Sequence, residues 1–465
     1  MINPEIFREY DIRGIADEDL QPESVYILGL AAGEYFREHN ETKILIGRDN
    51  RLSSDRIRDN LVAGLTAAGC TVIDIGTVIT PLFYYARILY NINAGLMITA
   101  SHNPAEFNGF KVALGAATIY GEEIQNLYKL AVEINATRDI TIKPINTSRI
   151  EYKDPVDDYL NMLDEKIKLG EKRLKVAVDC GNGTAGLFAE KFLHKLGCGV
   201  IPLFCESNGS FPNHHPDPVN SANLQVLRKA VLENQADLGI GFDGDGDRLG
   251  VVDNKGNIIW GDQLMILYWR EILPKYPGTD CIVEVKCSEA LVEEIERLGG
   301  KPVMYKTGHS LIKAKMKELG TVFTGEMSGH MFFADEYFGF DDAFYAAGRL
   351  LRILSNSERS LSEMLSDAPK YYSTAETRVP CPDQDKFKVV QLFRDSFRKT
   401  NQVIDIDGAR VLFDGGWGLV RASNTQPVIV VRCEGKTKED LAYIAKTIKE
   451  ALLSFPEVGS FQWKY

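Results

Sequence analysis

Four short stretches of this chain carry residue types whose spacing could do chemistry. In Asp243-Gly244-Asp245-Gly246-Asp247-Arg248 three carboxylates alternate with glycines, directly after the apolar run Leu238–Phe242. Carboxylates at alternate positions of an extended segment point the same way, and the glycines let the backbone bend around an ion. Oxygen ligands of this kind suit a hard cation such as Mg²⁺, with water or a phosphate in the remaining positions. An EF-hand does not fit, because its sixth position is Arg248 instead of Gly and its twelfth is Asn254 instead of Glu. A plain polar turn is the weaker alternative, since three clustered carboxylates repel unless neutralised.

A second stretch, Thr99-Ala100-Ser101-His102-Asn103-Pro104, follows Ala94–Ile98, which reads as a short buried strand. The strand delivers Ser101 to a surface loop, and Asn103-Pro104 stops regular structure. A serine hydroxyl reacts only with help from a base, a metal or a positive field. Alone, the stretch equally describes a turn that ends a strand. Gly325-Glu326-Met327-Ser328-Gly329-His330 offers an acceptor, a hydroxyl and an imidazole, a set suited to sugar hydroxyls, although a simple turn has the same composition. Arg421-Ala422-Ser423-Asn424-Thr425-Gln426-Pro427 combines a guanidinium, hydroxyls and an amide at a turn. That is either a phosphate cradle or a satisfied loop, and composition does not separate the two. Lys111, Lys286 and His309 stand alone, and isolated lysines and histidines are more often structural than catalytic. Asn213-His214-His215-Pro216-Asp217 reads as structural, because adjacent histidines in a proline-rich turn do not converge on one ion.

These loops need a scaffold, and the pattern between them predicts an α/β one. Strands over Lys43–Gly47 and Thr71–Ile75 flank a helix over Ser53–Gly69, after a helix over Ser24–Glu38. The unit recurs as the strand Leu174–Asp179, a helix over Gly186–Leu196 and the strand from Gly199. It recurs again as Cys281–Val285, Glu289–Leu298 and the strand from Lys301. Each helix ends at a glycine, in Ala68-Gly69, Leu196-Gly197 and Leu298-Gly299. Three such units argue for three related α/β domains with partly parallel sheets. Strands at Val411–Phe413 and Val428–Cys433 with a helix over Lys438–Leu453 predict a smaller α+β domain. Arg8–Gly14 is too polar for a core strand. Polar and proline-bearing stretches divide the chain at 1–147, 148–252, 253–368 and 369–465.

Length alone, 465 residues, calls for three or four domains. A net charge of −12 gives no support to nucleic-acid binding, though it leaves room for a locally positive cleft. No apolar run is long enough to cross a bilayer, and the first fourteen residues lack the apolar stretch of a secretory leader. The eight cysteines (Cys70, Cys180, Cys198, Cys205, Cys281, Cys287, Cys381, Cys433) are scattered without a CxxC pair. Buried free thiols, and hence a cytoplasmic protein, are expected.

Taken together and in this order, the four loops resemble the phosphoserine, metal, sugar and phosphate loops of the α-D-phosphohexomutase superfamily, and within it the phosphomannomutase/phosphoglucomutase group. The resemblance spans essentially the whole chain. It implies three similar α/β domains with mixed sheets plus a C-terminal α+β domain around a central cleft. It also implies a resting phosphate on Ser101, with Mg²⁺ held by that phosphate and by Asp243, Asp245 and Asp247. Ser101 would exchange its phosphoryl group with a hexose 1- or 6-phosphate through a hexose 1,6-bisphosphate. By the same resemblance Arg421, Ser423, Asn424 and Thr425 hold the non-reacting phosphate, and Glu326, Ser328 and His330 contact the sugar. Arg13, Lys111, Arg248 and Lys286 surround the transferring group with positive charge, Lys111 and His309 are the acid/base candidates, and Tyr10 and His102 shape the site. Glu326-Met327-Ser328 resembles the mannose/glucose group; phosphoglucosamine mutases usually carry glutamine where Met327 stands, and many dedicated phosphoglucomutases a second glutamate. The partners implied are small-molecule sugar phosphates, with the chain a monomer or weak homo-oligomer. A phosphoglucosamine mutase is the near alternative and a metal-dependent sugar phosphatase the distant one. The separate loop at Arg421 speaks against the latter, because hydrolysis needs one phosphate site.

Overall fold

A computed structural model describes residues 2–115, 117–423 and 426–463. The chain forms two compact units, Met1–Gly261 with Ser328–Met364, and Asp262–Met327 with Leu365–Tyr465.

The first unit opens with β1 (Ile12–Ile15), α1 (Pro22–Glu38), β2 (Lys43–Arg48), α2 (Ser54–Ala67), β3 (Thr71–Thr77), α3 (Thr80–Leu89) and β4 (Ala94–Ile98). It continues through β5 (Phe107–Leu114), β6 (Ala117–Thr118), α4 (Glu122–Thr137) and β7 (Ile150–Tyr152). These strands make a seven-stranded mixed sheet in the order β1-β5-β4-β2-β3-β7, with β6 on β5. The central strand β4 is buried along its whole length, as strands covered on both faces are. Helices α1 and α2 cross where glycines replace side chains. A Cβ on Gly29 would fall 2.4 Å from the Leu61 carbonyl, and one on Gly64 would fall 2.3 Å from that of Tyr26.

A second sheet follows from α5 (Val156–Lys166), β8 (Lys175–Asp179), α6 (Ala189–Lys195), β9 (Gly199–Leu203), α7 (Gln225–Asn234), β10 (Leu238–Phe242), β11 (Leu249–Asp253) and β12 (Ile258–Ile259). Its order is β12-β11-β10-β8-β9, parallel at β10-β8-β9 and antiparallel at the other edge.

In the second unit α8 (Gly261–Ile272) leads to β13 (Asp280–Glu284), α9 (Glu289–Arg297), β14 (Lys301–Tyr305), α10 (His309–Leu319) and β15 (Phe323–Gly325). The chain then contributes β16 (Met331–Phe333), α11 (Ala343–Ser355) and α12 (Leu361–Met364) to the first unit, where the Phe344 ring stacks on Phe242 at 4.4 Å. It ends in the second unit with β17 (Tyr372–Ser373), β18 (Thr377–Pro380), α13 (Asp383–Phe397), β19 (Val403–Ile404), β20 (Ala409–Phe413), β21 (Gly416–Ala422), β22 (Val428–Gly435) and α14 (Lys438–Leu453). That last sheet is antiparallel throughout, in the order β17-β22-β21-β20-β19 with β18 on β22. Among the described residues no helix is long and apolar enough to cross a membrane.

The threefold repeat is present. Each copy pairs its two strands in parallel, and Gly69, Gly197 and Gly299 all take left-handed φ values of 91°, 85° and 80°. Strand β7, just beyond the division expected after 147, pairs with β3. A hairpin returns β11 to β12 near the division expected after 252, and Ser328–Met364 packs into the first unit. One expectation needs correction. The helix expected over Gly186–Leu196 is a 3₁₀ turn at Thr184–Leu187 followed by the short α6. Of Arg8–Gly14, read as too polar for a core strand, residues 12–14 lie in β1 at the edge of the sheet, where polar residues are tolerated.

Candidate active site

The strand β4 ends at Ile98, and Ser101 follows in a left-handed conformation (φ 50°) that costs a non-glycine residue about 1–3 kcal/mol. The surroundings impose it. The buried Arg51 guanidinium donates to the carbonyls of Ser101 and Asn103 (2.7 Å each), Pro104 (2.6 Å) and Phe107 (3.0 Å), and is itself held by Asp49 at 3.0 Å. The Ser101 N–H donates to Thr99 Oγ1 at 2.9 Å. Ser101 itself is therefore internal, only 2 % exposed, where a surface position was expected, while residues 102–105 beyond it are half-buried.

The Ser101 hydroxyl donates to Asp243 Oδ2 at 2.8 Å, and His102 Nδ1 lies 3.2 Å from Ser101 Oγ. Asp243 ends the turn after β10 by accepting the N–H groups of Asp247 and Arg248 on Oδ1, both at 3.0 Å. Asp243, Asp245 and Asp247 are fully buried, with ligand oxygens within 4.8 Å of one another. Two unit charges about 4 Å apart repel by roughly 4 kcal/mol at an effective dielectric of 20. One ammonium offsets part of this: Lys111 Nζ, on β5, lies 3.0 Å from Asp245 Oδ2 and also bonds Asp247. Burial alone would lower Lys111, but these two carboxylates outweigh it and hold the ammonium well above the usual lysine range. Burial, reinforced by the charges of Asp247 and Asp245, pushes Asp243 well above the usual carboxylate range. Asp245 moves the other way, since Lys111 and the Thr80 hydroxyl (2.7 Å) outweigh its burial.

Asp245 Oδ1 and Asp247 Oδ1 are buried without a hydrogen-bond partner among the described residues. Unsatisfied carboxylate oxygens facing an excess of negative charge suit a divalent cation, so this cluster can bind a metal. One further group adjoins it, and a second adjoins the Ser101 loop. Arg248 Nε donates to His330 Nε2 at 2.9 Å, and His330 Nδ1 lies 3.2 Å from Asp341 and 3.6 Å from Asp247. Arg13, on β1, donates to Asn103 Oδ1 at 3.0 Å and bonds Asp11. Ser328 and Tyr10 are half-buried in the same unit.

The second unit gathers the remaining candidates. Lys286 is paired with Glu376 at 3.2 Å and Glu284 at 3.6 Å; burial opposes its charge, yet the two carboxylates raise it. Glu326 Oε1 accepts the Gly308 N–H at 2.7 Å, so the sugar-type loop is joined to the turn that starts α10 at the buried His309. Arg421 Nε and Nη2 both lie 3.0 Å from Asp407 Oδ2, and that oxygen also accepts the Thr307 N–H at 3.1 Å. Arg421 closes strand β21 instead of starting a turn, which fixes its guanidinium more firmly than a loop would. The Ser423 hydroxyl accepts the Gln426 N–H at 3.1 Å. Asn424 and Thr425 lie outside the described residues.

Sequence reasoning did not find Arg51, Thr80, Asp341, Glu284, Glu376 or Asp407. The run Gly47-Arg48-Asp49-Asn50-Arg51 at the end of β2 was the available signal for Arg51, since a charge-dense turn beyond a buried strand commonly meets a functional loop.

The geometry, a hydroxyl on a carboxylate cluster flanked by fixed cations, is that of phosphoryl-transfer chemistry. Four profiles match the chain in succession: "Phosphoglucomutase/phosphomannomutase, alpha/beta/alpha domain I" over 4–138, domain II over 157–256, domain III over 260–372 and the C-terminal domain over 376–451. A phosphomannomutase/phosphoglucomutase of Pseudomonas putida is 44% identical over 449 residues, covering 96% of this chain and 95% of that one. A phosphoglucomutase of Neisseria meningitidis serogroup A is 40% identical over 457 residues, covering 98% of each. A crystal structure of a phosphoglucomutase/phosphomannomutase family protein from Burkholderia thailandensis superposes with a TM-score of 0.89 at 39% identity, covering 98% of both chains. The chain belongs to the phosphoglucomutase/phosphomannomutase family of the α-D-phosphohexomutases. It is a hexose-phosphate mutase, an intramolecular phosphotransferase.

Proposed function

We propose that Ser101 is the phosphoryl carrier of this mutase, exchanging its phosphoryl group with mannose and glucose 1- and 6-phosphates through a hexose 1,6-bisphosphate. The observation that carries the reading is the Ser101 Oγ contact on Asp243 Oδ2 at 2.8 Å, which sets a hydroxyl on cation-binding carboxylates. Asp243, Asp245, Asp247 and the Ser101 oxygen would hold Mg²⁺, which when bound neutralises charge on the transferring group.

Lys111 supplies fixed positive charge beside that group, because its two carboxylate partners keep it protonated. His309 remains an acid/base candidate, and His330, whose Nδ1 lies 3.6 Å from Asp247, is a further group beside the metal carboxylates. Arg13 and Arg248 add positive charge, while His102 and Tyr10 shape the pocket around Ser101.

Arg421 and Ser423, with Asn424 and Thr425, hold the phosphate that does not react. Lys286 and His309 contact the ligand, and Glu326 and Ser328 read sugar hydroxyls common to both orientations. Relatives at 40–44% identity named for mannose and glucose chemistry support this sugar preference over glucosamine, as does Met327. We place the enzyme in a reducing cytoplasm as a monomer or weak homo-oligomer acting on small sugar phosphates; eight free thiols support the compartment.

Phosphorus NMR on mannose, glucose and glucosamine 1-phosphates tests the reading. Formation of 6-phosphate from the first two with little free phosphate is expected. Preferential turnover of glucosamine 1-phosphate, or steady release of free phosphate, contradicts it.

A further inference from the structure

The turn Asn213–Asp217, which sequence reasoning left as structural, reaches the catalytic loops. His214 Nδ1 lies 2.8 Å from the carbonyl oxygen of His215, and Nε2 lies 3.1 Å from both carboxylate oxygens of Asp179. Both partners are acceptors, so the ring satisfies them together only when both nitrogens carry protons. Asp179 ends β8, is buried, and also accepts the Gly181 N–H at 2.9 Å. The Phe204 ring, just beyond β9, stands edge-on to the imidazole at 5.4 Å and adds no charge. Asp217, from the same turn as His214, lines the small cavity that adjoins the pair.

Two residues beyond His214, Pro216 is wedged between two glycine backbones. A Cβ on Gly181 would fall 2.9 Å from Pro216 Cα and 3.2 Å from His214 Cε1. A Cβ on Gly244 would fall 3.3 Å from Pro216 Cγ and 2.4 Å from the Ser101 carbonyl oxygen. Gly244 thus lies between the turn and Ser101, inside the carboxylate loop, and its carbonyl accepts the Thr184 N–H at 2.9 Å. The hydrogen bonds of His214 and the absence of room for a side chain at Gly181 and Gly244 thus place Asp179, His214, Pro216, Gly244 and Ser101 in sequence.

We propose that His214 is a positioning residue: its imidazolium, clamped between Asp179 and its own turn, braces Pro216 against Gly244 and so fixes Ser101 relative to the Asp243–Asp247 carboxylates. The inference rests on the reading of Ser101 as phosphoryl carrier. Burial alone would lower the His214 pKa, but Asp179 outweighs it and holds the ring above its ordinary 6.5. A histidine raised on folding contributes fully below its unfolded pKa, and the contribution is lost as pH rises through the folded value. Above that value the neutral ring can meet one acceptor but not both, and the brace loosens.

The full-length enzyme tests this with three substitutions. His214→Gln keeps a donor toward Asp179, His214→Asn keeps one toward the His215 carbonyl, and Asp179→Asn removes the charge while keeping the shape. Hydrogen–deuterium exchange of the peptide spanning residues 99–107 is measured beside kcat and KM from pH 6 to 9. All three are expected to exchange faster at the Ser101 loop, to lose about tenfold in kcat with KM little changed, and to lose the wild-type decline of kcat toward alkaline pH. Unchanged exchange at residues 99–107, whatever the turnover, overturns the brace. Faster exchange with unchanged turnover equally overturns the positioning role, whereas absence of phosphate from Ser101 in the wild-type enzyme would overturn the carrier reading on which it rests.

Discussion

The two groups of candidate residues handle charge in opposite ways. Around Ser101 three buried carboxylates share one lysine ammonium, and two carboxylate oxygens lack a hydrogen-bond partner among the described residues. In the second unit each cation already has a carboxylate: Asp407 for Arg421, and Glu376 with Glu284 for Lys286. The first arrangement leaves room for an added cation. The second is balanced as it stands, and on the proposed function an incoming phosphate would share its cations with the resident carboxylates. On the function proposed above, charge excess would mark the site for metal and phosphoryl transfer, and charge balance the site that holds and releases ligand.

Substitutions sharpen this contrast. The largest effect is expected for Ser101→Ala, which removes the accepting oxygen: kcat falls by about 10³-fold or more in steady-state assays. The fold survives, because Arg51 and Thr99 hold the loop through its backbone. Asp245→Asn, or chelation of the wild-type enzyme, is next, at roughly 10²-fold in kcat. Added Mg²⁺ restores the chelated enzyme but not the variant. Arg421→Lys loses the paired contact on Asp407, so KM for sugar phosphates rises about tenfold with kcat less affected. Asp407→Asn is smallest, raising KM about threefold because Arg421 keeps its strand but loses its orienting charge. If Asp245→Asn changed only KM, or Arg421→Lys only kcat, the contrast between the two groups would collapse.

How much of this was legible in the sequence follows the range of the interactions. Helix α14 matches its expected span, because local periodicity and the Thr437–Asp440 capping box define it. The carboxylate loop was legible because its ligands are neighbours in the chain. Arg51 was not, since it meets the Ser101 carbonyl across 50 residues, nor was Thr80, which meets Asp245 across 165. The left-handed backbone and burial of Ser101 are imposed by those distant partners, so its own stretch reads as an ordinary exposed turn. Polar stretches also carry an edge strand, as at β7, or a hairpin turn, as before β12, because such elements tolerate polar residues. The chemistry of His214 was hidden for the same reason: Asp179 lies 35 residues upstream.

The central claim is that a phosphoryl group rides on Ser101. Intact-protein mass, recorded before and after incubation with glucose 1,6-bisphosphate and followed by peptide mapping, tests it most directly. The account predicts a single phosphate increment on the peptide containing Ser101, removed by excess glucose 1-phosphate with matching formation of bisphosphate. An increment on another residue, or full mutase turnover with Ser101 never phosphorylated, would contradict it.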